Sequence, residues 1–188
     1  MTTRPLDLEE FQEILRLLRE GFTYLDENNV QRKCRPNPTV AVILQLQANL
    51  GLRIGDVLTL RVGNFKFNRL EIIEQKTEKL LFRKINPKIS GIVMEYALEN
   101  NLTKDDLLFD IGARNVQKQL KKVTDYLGIL NVSTHSFRKF YATRHYELSD
   151  YNIELVKELL NHKFLSTTQK YIRVSQKLVD EASEKFFV

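Results

Sequence analysis

Two of the chain's three histidines stand beside other reactive side chains. In His135-Ser136-Phe137-Arg138 the imidazole and the guanidinium are three residues apart, so on a helix they share a face. A cap at Ser133 or Thr134 puts His135 in the first helical turn, where free N–H groups and the helix dipole favour an anion. That is a seat for a phosphate. His162 follows Leu159-Leu160-Asn161, just past an expected helix end. Asn is one of the few residues besides Gly that accepts left-handed backbone. Nine residues on stands Tyr171, a phenol with an ordinary pKa of about 10. Arg53 and Asp56, in Gly51-Leu52-Arg53-Ile54-Gly55-Asp56, are again three apart, so the carboxylate can hold the guanidinium. Lys76 sits on an expected hairpin turn. Taken singly, each has a plain use. These are a surface His–Arg pair, a half-buried tyrosine, a solvated turn lysine and a local salt bridge worth under about 1 kcal/mol.

The set says more than its members. Arg53 in Gly-Leu-Arg-Ile-Gly-Asp, the lysine of Gln75-Lys76-Thr77, His135-x-x-Arg138, and Leu-Asn-His162 followed by Thr167-Thr168-Gln169-Lys170-Tyr171 occur in this order. Their spacing resembles the tyrosine recombinases and phage-type integrases (the lambda integrase, Cre and Xer group), over roughly residues 5–187. The sequence departs from that pattern in places. Asn161 stands where the family usually has Gly, Asp56 where it more often has Glu, and Phe137 and Lys139 where Xer-type members often have Leu and His. Lys79, three residues from Lys76, shares its turn.

The resemblance implies a metal-free and cofactor-free enzyme that cuts and rejoins DNA through a 3′-phosphotyrosine on Tyr171. Arg53 and Arg138 would fork onto the non-bridging phosphate oxygens and stabilise the charge that builds there. Arg suits this better than Lys because it is planar and always charged. By the same resemblance His135 takes or relays the phenol proton and His162 hydrogen-bonds the phosphate. Lys76, on a hairpin reaching into the minor groove, protonates the leaving 5′ oxygen. Asp56 supports Arg53.

The elements that must position these groups are mostly helical. Phe11, Ile14, Leu15, Leu18 and Phe22 recur at helical spacing and predict a helix over 8–22, started by Asp7 or Thr3. Residues 23–38 are polar, end in Arg35-Pro36-Asn37-Pro38 and read as a loop. An apolar helix from Val40 to Leu50 stops at Gly51, and another runs from about Arg53 to Leu60. Residues 63–86 alternate in short apolar steps and predict a small antiparallel sheet, with 75–79 as its hairpin turn. Helices follow from Asn86-Pro87 to about Glu99, over 114–127 before Gly128, and from His135 to Leu148. The next runs to Leu160 behind a Ser149 or Asp150 cap. Ser166 and Gln169 read as a capping box for a short helix carrying Tyr171, and a last helix covers 176–187. The fold class is mainly α with a small antiparallel sheet, one catalytic domain over 1–188.

Composition sets bounds. A chain of 188 residues with 43% hydrophobic content holds one cored domain or two very small ones. Lys plus Arg outnumber acids 29 to 24, a net charge of +5, which is compatible with nucleic acid without requiring it. The single Cys34 leaves no internal disulfide and no cysteine cluster for a metal, and fits a reducing compartment. No apolar run approaches the roughly 20 residues of a membrane span. The amino terminus lacks an apolar signal core. The expected place is the bacterial cytoplasm, at the nucleoid during reaction.

In the terminal helix Leu178, Ala182 and Phe186 form an apolar stripe, with Phe187 beside it. It docks on its own domain, leaving a monomer in isolation, or, as the resemblance implies, on a neighbour in a homotetramer on double-stranded DNA. The chain starts where the catalytic domain of the resembling proteins begins, without their core-binding domain, so weak and salt-sensitive DNA binding is expected. Two further readings share the chemistry or the fold: relaxation of DNA in the manner of a type IB topoisomerase, and a non-catalytic DNA-binding regulator. A metal-independent ribonuclease using His135 and Lys76 would give Tyr171 no role.

Overall fold

The most apolar stretch of the chain forms its central element. In a computed structural model describing residues 3–26, 28–76, 78–172, 179–180 and 183–185, helix α2 (Pro38–Leu50) buries Val40, Ala41, Ile43, Leu44, Leu46 and Leu50. A helix apolar on all sides belongs inside. Asn37 caps it by accepting from the Val40 N–H at 3.1 Å. Helix α1 (Leu8–Glu20) lays Ile14, Leu15, Leu17 and Leu18 against it. Helix α6 (Thr134–Leu148) also packs on it and buries Phe137, Phe140 and Ala142, with Phe140 stacked on Phe11 of α1 at 5.0 Å.

Gly51 ends α2 with φ +63°, and a Cβ there would lie 2.4 Å from the edge of the Tyr141 ring. Backbone and space both demand glycine. Gly51→Ala is expected to lower stability by about 3 kcal/mol, read as a shifted urea midpoint at unchanged slope.

Residues 22–34 depart from the expected loop. They form a hairpin of β1 (Phe22–Leu25) and β2 (Gln31–Cys34), paired Phe22↔Cys34 to Leu25↔Gln31. Most of its residues are exposed, so no buried face imposes alternation on the sequence. Its turn is closed by Asp26, whose carboxylate accepts from Asn28 and Val30 N–H at 2.9 and 3.0 Å.

The predicted sheet is present as β3 (Phe65–Lys66), β4 (Arg69–Ile73) and β5 (Leu80–Lys84), antiparallel in that order. Leu70, Ile72 and Leu81 point inward, while Ile73, Leu80 and Phe82 are exposed. Around these lie α3 (Ile54–Leu58), α4 (Pro87–Glu99, capped by Asn86) and α5 (Ala113–Tyr126). Helix α7 (Ile153–Leu159) and α8 (Leu165–Gln169) follow, and a 3₁₀ turn, Val62–Asn64, leads into β3.

Two caps differ from expectation. Asp150 and Tyr151 both have left-handed backbone, at φ 52° and 64°, so α7 restarts later. Asn152 caps it, accepting from Leu155 N–H at 3.0 Å. Helix α8 begins after Phe164, which places Ser166 inside its first turn, where no capping box forms. Tyr171 therefore lies beyond α8, in the turn that follows, its N–H bonded to Thr168 O at 2.9 Å. Of the helix expected over 176–187, Val179, Asp180, Ser183 and Glu184 are helical, while Leu178, Ala182, Phe186 and Phe187 lie outside the described residues. Among the described residues no helix is long and apolar enough to cross a membrane.

Candidate active site

Ser133 begins the site. Its hydroxyl accepts from the His135 N–H at 3.2 Å, and Ser136 answers from the next turn by accepting from Ser133 N–H at 3.1 Å. This cap fixes His135 in the first turn of α6, three residues before Arg138. The His135 Nε2 lies 2.8 Å from the Tyr171 hydroxyl. A neutral imidazole with its lone pair on Nε2 accepts that phenol proton. His135 is held below the usual histidine range first by burial, then by the charges of Arg138, Lys139, Arg53 and Lys76. The Tyr171 ring packs beside both histidine rings, with centroids 5.2 Å from His135 and 5.0 Å from His162. The Arg138 guanidinium stands 5.7 Å from its centre.

Arg138 is 1% exposed. It is held mainly by backbone: Nη1 donates to Gly51 O at the end of α2, and Nη2 donates to Leu160 O beyond α7 at 2.9 Å. Burial, and then the neighbouring Arg53, push its pKa down to about 10, so it stays charged at neutral pH. Arg83 repeats the arrangement one residue back along both helices, donating to Leu50 O and, at 2.6 Å, to Leu159 O.

The second Nη2 contact of Arg138 is to His162 Nε2, at 3.1 Å. Guanidinium has only donors, so Nε2 carries the lone pair and the proton sits on Nδ1. Nδ1 then donates to the Thr168 hydroxyl at 3.0 Å. Burial, with Arg138 and Arg53 nearby, pushes the His162 pKa down to about 4. The unfolded chain, with an ordinary histidine, therefore binds more protons than the folded one between pH 6.5 and 4. Stability rises with pH across that window and is lost as pH falls through it, by on the order of 2–3 kcal/mol. Urea unfolding at pH 7, 5.5 and 4 reads this slope, and His162→Asn is expected to flatten it.

Arg53 precedes α3 as its N-cap residue. Its nearer carboxylate is not Asp56, 3.9 Å away, but Glu74, whose Oε1 accepts from Arg53 Nη1 at 3.2 Å. Asp56 is buried and its Oδ1 accepts the Gln75 N–H at 2.9 Å, so it ties the hairpin to α3. Lys76 is exposed on the hairpin turn next to Gln75. Its charge reaches His135.

Five of the six catalytic candidates (Arg53, His135, Arg138, His162 and Tyr171) thus converge, and Lys76 stands on the hairpin at their edge. Glu74 and Arg83 belong to the same site and were not anticipated, nor were the side-chain contacts of Asn161 with Glu74 and of Thr168 with His162. The signal for Glu74 was available: Leu70, Ile72 and Glu74 continue one period-two inward face. Among the described residues no group of three His, Cys, Asp or Glu is placed to hold a metal ion.

Comparisons with known proteins bear on the fold and on the family. The tyrosine recombinase XerA of Pyrococcus horikoshii is 30% identical over 154 residues, covering 77% of this chain and 53% of the relative. A probable integrase/recombinase of Acholeplasma phage L2 is 22% identical over 164 residues, 79% of this chain and 53% of that protein. The chain spans about half the length of these curated relatives. Among solved structures, the XerH site-specific recombinase in a post-cleavage complex with its difH substrate superposes with a TM-score of 0.73. It is 20% identical, over 96% of this chain and 52% of that one. The catalytic domain of bacteriophage HP1 integrase matches at 0.64 and 15% identity, covering 97% and 95%. These likenesses fix the fold as that of tyrosine recombinase catalytic domains. The model of the phage integrase family matches residues 6–177, which takes in every member of the cluster just described, and the chain belongs to that family.

Proposed function

We propose that this chain is the catalytic domain of a site-specific DNA recombinase or integrase. The Tyr171 oxygen attacks a backbone phosphorus in line, forming a P–O bond to the phenol as the P–O5′ bond breaks. His135 takes the phenol proton through Nε2, and Lys76 delivers one to the departing 5′ oxygen. Arg53 and Arg138 stabilise the charge on the non-bridging oxygens. Attack by a 5′ hydroxyl of another strand reverses the steps and rejoins the DNA. The bond energy is kept in the phosphotyrosine, so no nucleotide cofactor enters.

The observation that carries this reading is the 2.8 Å contact between the Tyr171 hydroxyl and His135 Nε2, set beside a buried arginine. His162 accepts from Arg138 in the free site. To donate to a phosphate its proton must pass from Nδ1 to Nε2, and a rotated Thr168 hydroxyl can then donate to Nδ1. The proposed partner is double-stranded DNA, with assembly as a homotetramer through the 176–187 segment. The apolar stripe Leu178, Ala182 and Phe186 supports that assembly.

The test is incubation with nicked duplexes of randomised sequence in EDTA. A protein–DNA adduct that survives SDS and disappears on protease treatment is expected. Its absence from the whole pool counts against the proposal.

A further inference from the structure

We propose that Glu74 and Asn161 form a positioning pair that sets the spacing of the two arginines and of the His162 loop, an inference that rests on the reading just given. Glu74 follows β4 on its inward side and is 1% exposed. One carboxylate oxygen, Oε1, serves both cations: Arg53 Nη1 at 3.2 Å and Arg138 Nη1 at 4.0 Å. The other, Oε2, accepts from the Asn161 amide at 2.9 Å. Three other pieces of chain therefore meet on this side chain at the base of the Lys76 hairpin: the start of α3 through Arg53, α6 through Arg138, and the α7–α8 turn that carries His162.

The chemistry requires such a piece. Two guanidinium groups brought together for one phosphate repel each other before the phosphate arrives, and the repulsion is strongest where water is excluded. A buried carboxylate between them removes that repulsion and fixes their separation. It cannot swing out to solvent, so it still holds them when an anion binds. Asn161 has φ +55°, a conformation that Gly would meet more easily. Glycine has no side-chain amide to offer Glu74. The presence of Asn at this position is explained by the hydrogen bond, which couples the turn before His162 to the same carboxylate.

The experiment uses single-turnover cleavage of the nicked duplexes that wild type selects from the random pool. Glu74→Gln, Asn161→Gly and the double variant are compared with wild type, and non-covalent DNA affinity and urea midpoint are measured for each. Glu74→Gln keeps the shape and removes the charge. Asn161→Gly satisfies the backbone and removes only the tether, so it folds even if the first variant does not. Each single variant is expected to slow cleavage about tenfold or more while DNA affinity moves less than about twofold. The double variant is expected to be no slower than the worse single one, because both act through one carboxylate. Singles that cleave like wild type, effects that multiply, or a loss confined to affinity would overturn the pair and leave strand cleavage standing. A wild type that captures no DNA at all would overturn the proposed function itself, and the positioning role with it.

Discussion

Tyr171→Phe is expected to abolish the covalent adduct while leaving the protein folded. The variant removes one oxygen. Its ring still fills the small cluster of Tyr141, Ala142, Val156 and Leu160, still lies beside both histidine rings, and still faces the Arg138 guanidinium. The loss to stability is a single hydrogen bond to His135, about 1 kcal/mol. The loss to chemistry is the nucleophile itself. No other hydroxyl among the described residues contacts His135 Nε2, so adduct formation is expected to fall by at least about 10⁴-fold. Denaturing gels of wild type and variant on the same nicked DNA, with urea midpoints in parallel, read both quantities. An adduct that persists in the variant would remove Tyr171 from the mechanism.

The second large effect is at Arg138, where even lysine is expected to fail. The guanidinium spans two carbonyls at the ends of different helices, Gly51 O and Leu160 O, and donates to His162 as well. An ammonium is a compact point with no fork. It can reach one of those carbonyls and leaves the other buried without a donor, a penalty of about 1–3 kcal/mol. In the reaction it also loses the fork onto phosphate oxygens. Arg138→Lys is therefore expected to lower single-turnover cleavage by about 10²–10⁴-fold and to unfold at lower urea. Cleavage within tenfold of wild type would show that charge alone suffices and that the fork is dispensable.

Much of this site is written in short-range spacing. His135 and Arg138 could be paired in advance because an i, i+3 spacing behind a Ser133 cap means one helix face, and the cap formed as expected. Lys76 was legible because period-two alternation on both sides marked the hairpin. What escaped was of two kinds. Some features lack a buried face to pattern them, as in the β1–β2 hairpin, or depend on local backbone that several residues could supply, as in the late start of α7 at Asn152. Others are tertiary. Asp56 was the obvious carboxylate for Arg53 by spacing, yet Glu74, 21 residues away in sequence, is closer. Tyr171 sits after α8 rather than on it, in a turn closed by its own N–H on Thr168 O, a tertiary placement that spacing alone does not mark.

The backbone cradle of the arginines bears on how such a site withstands mutation over long times. Arg83 and Arg138 bind four carbonyls, of Leu50, Gly51, Leu159 and Leu160. A carbonyl is supplied by every amino acid, so these four acceptors persist under any substitution that leaves the two helix ends in place. A holder of this sort leaves no residue signature. It lets a lineage replace most of its side chains without giving up the place where its buried cation is kept.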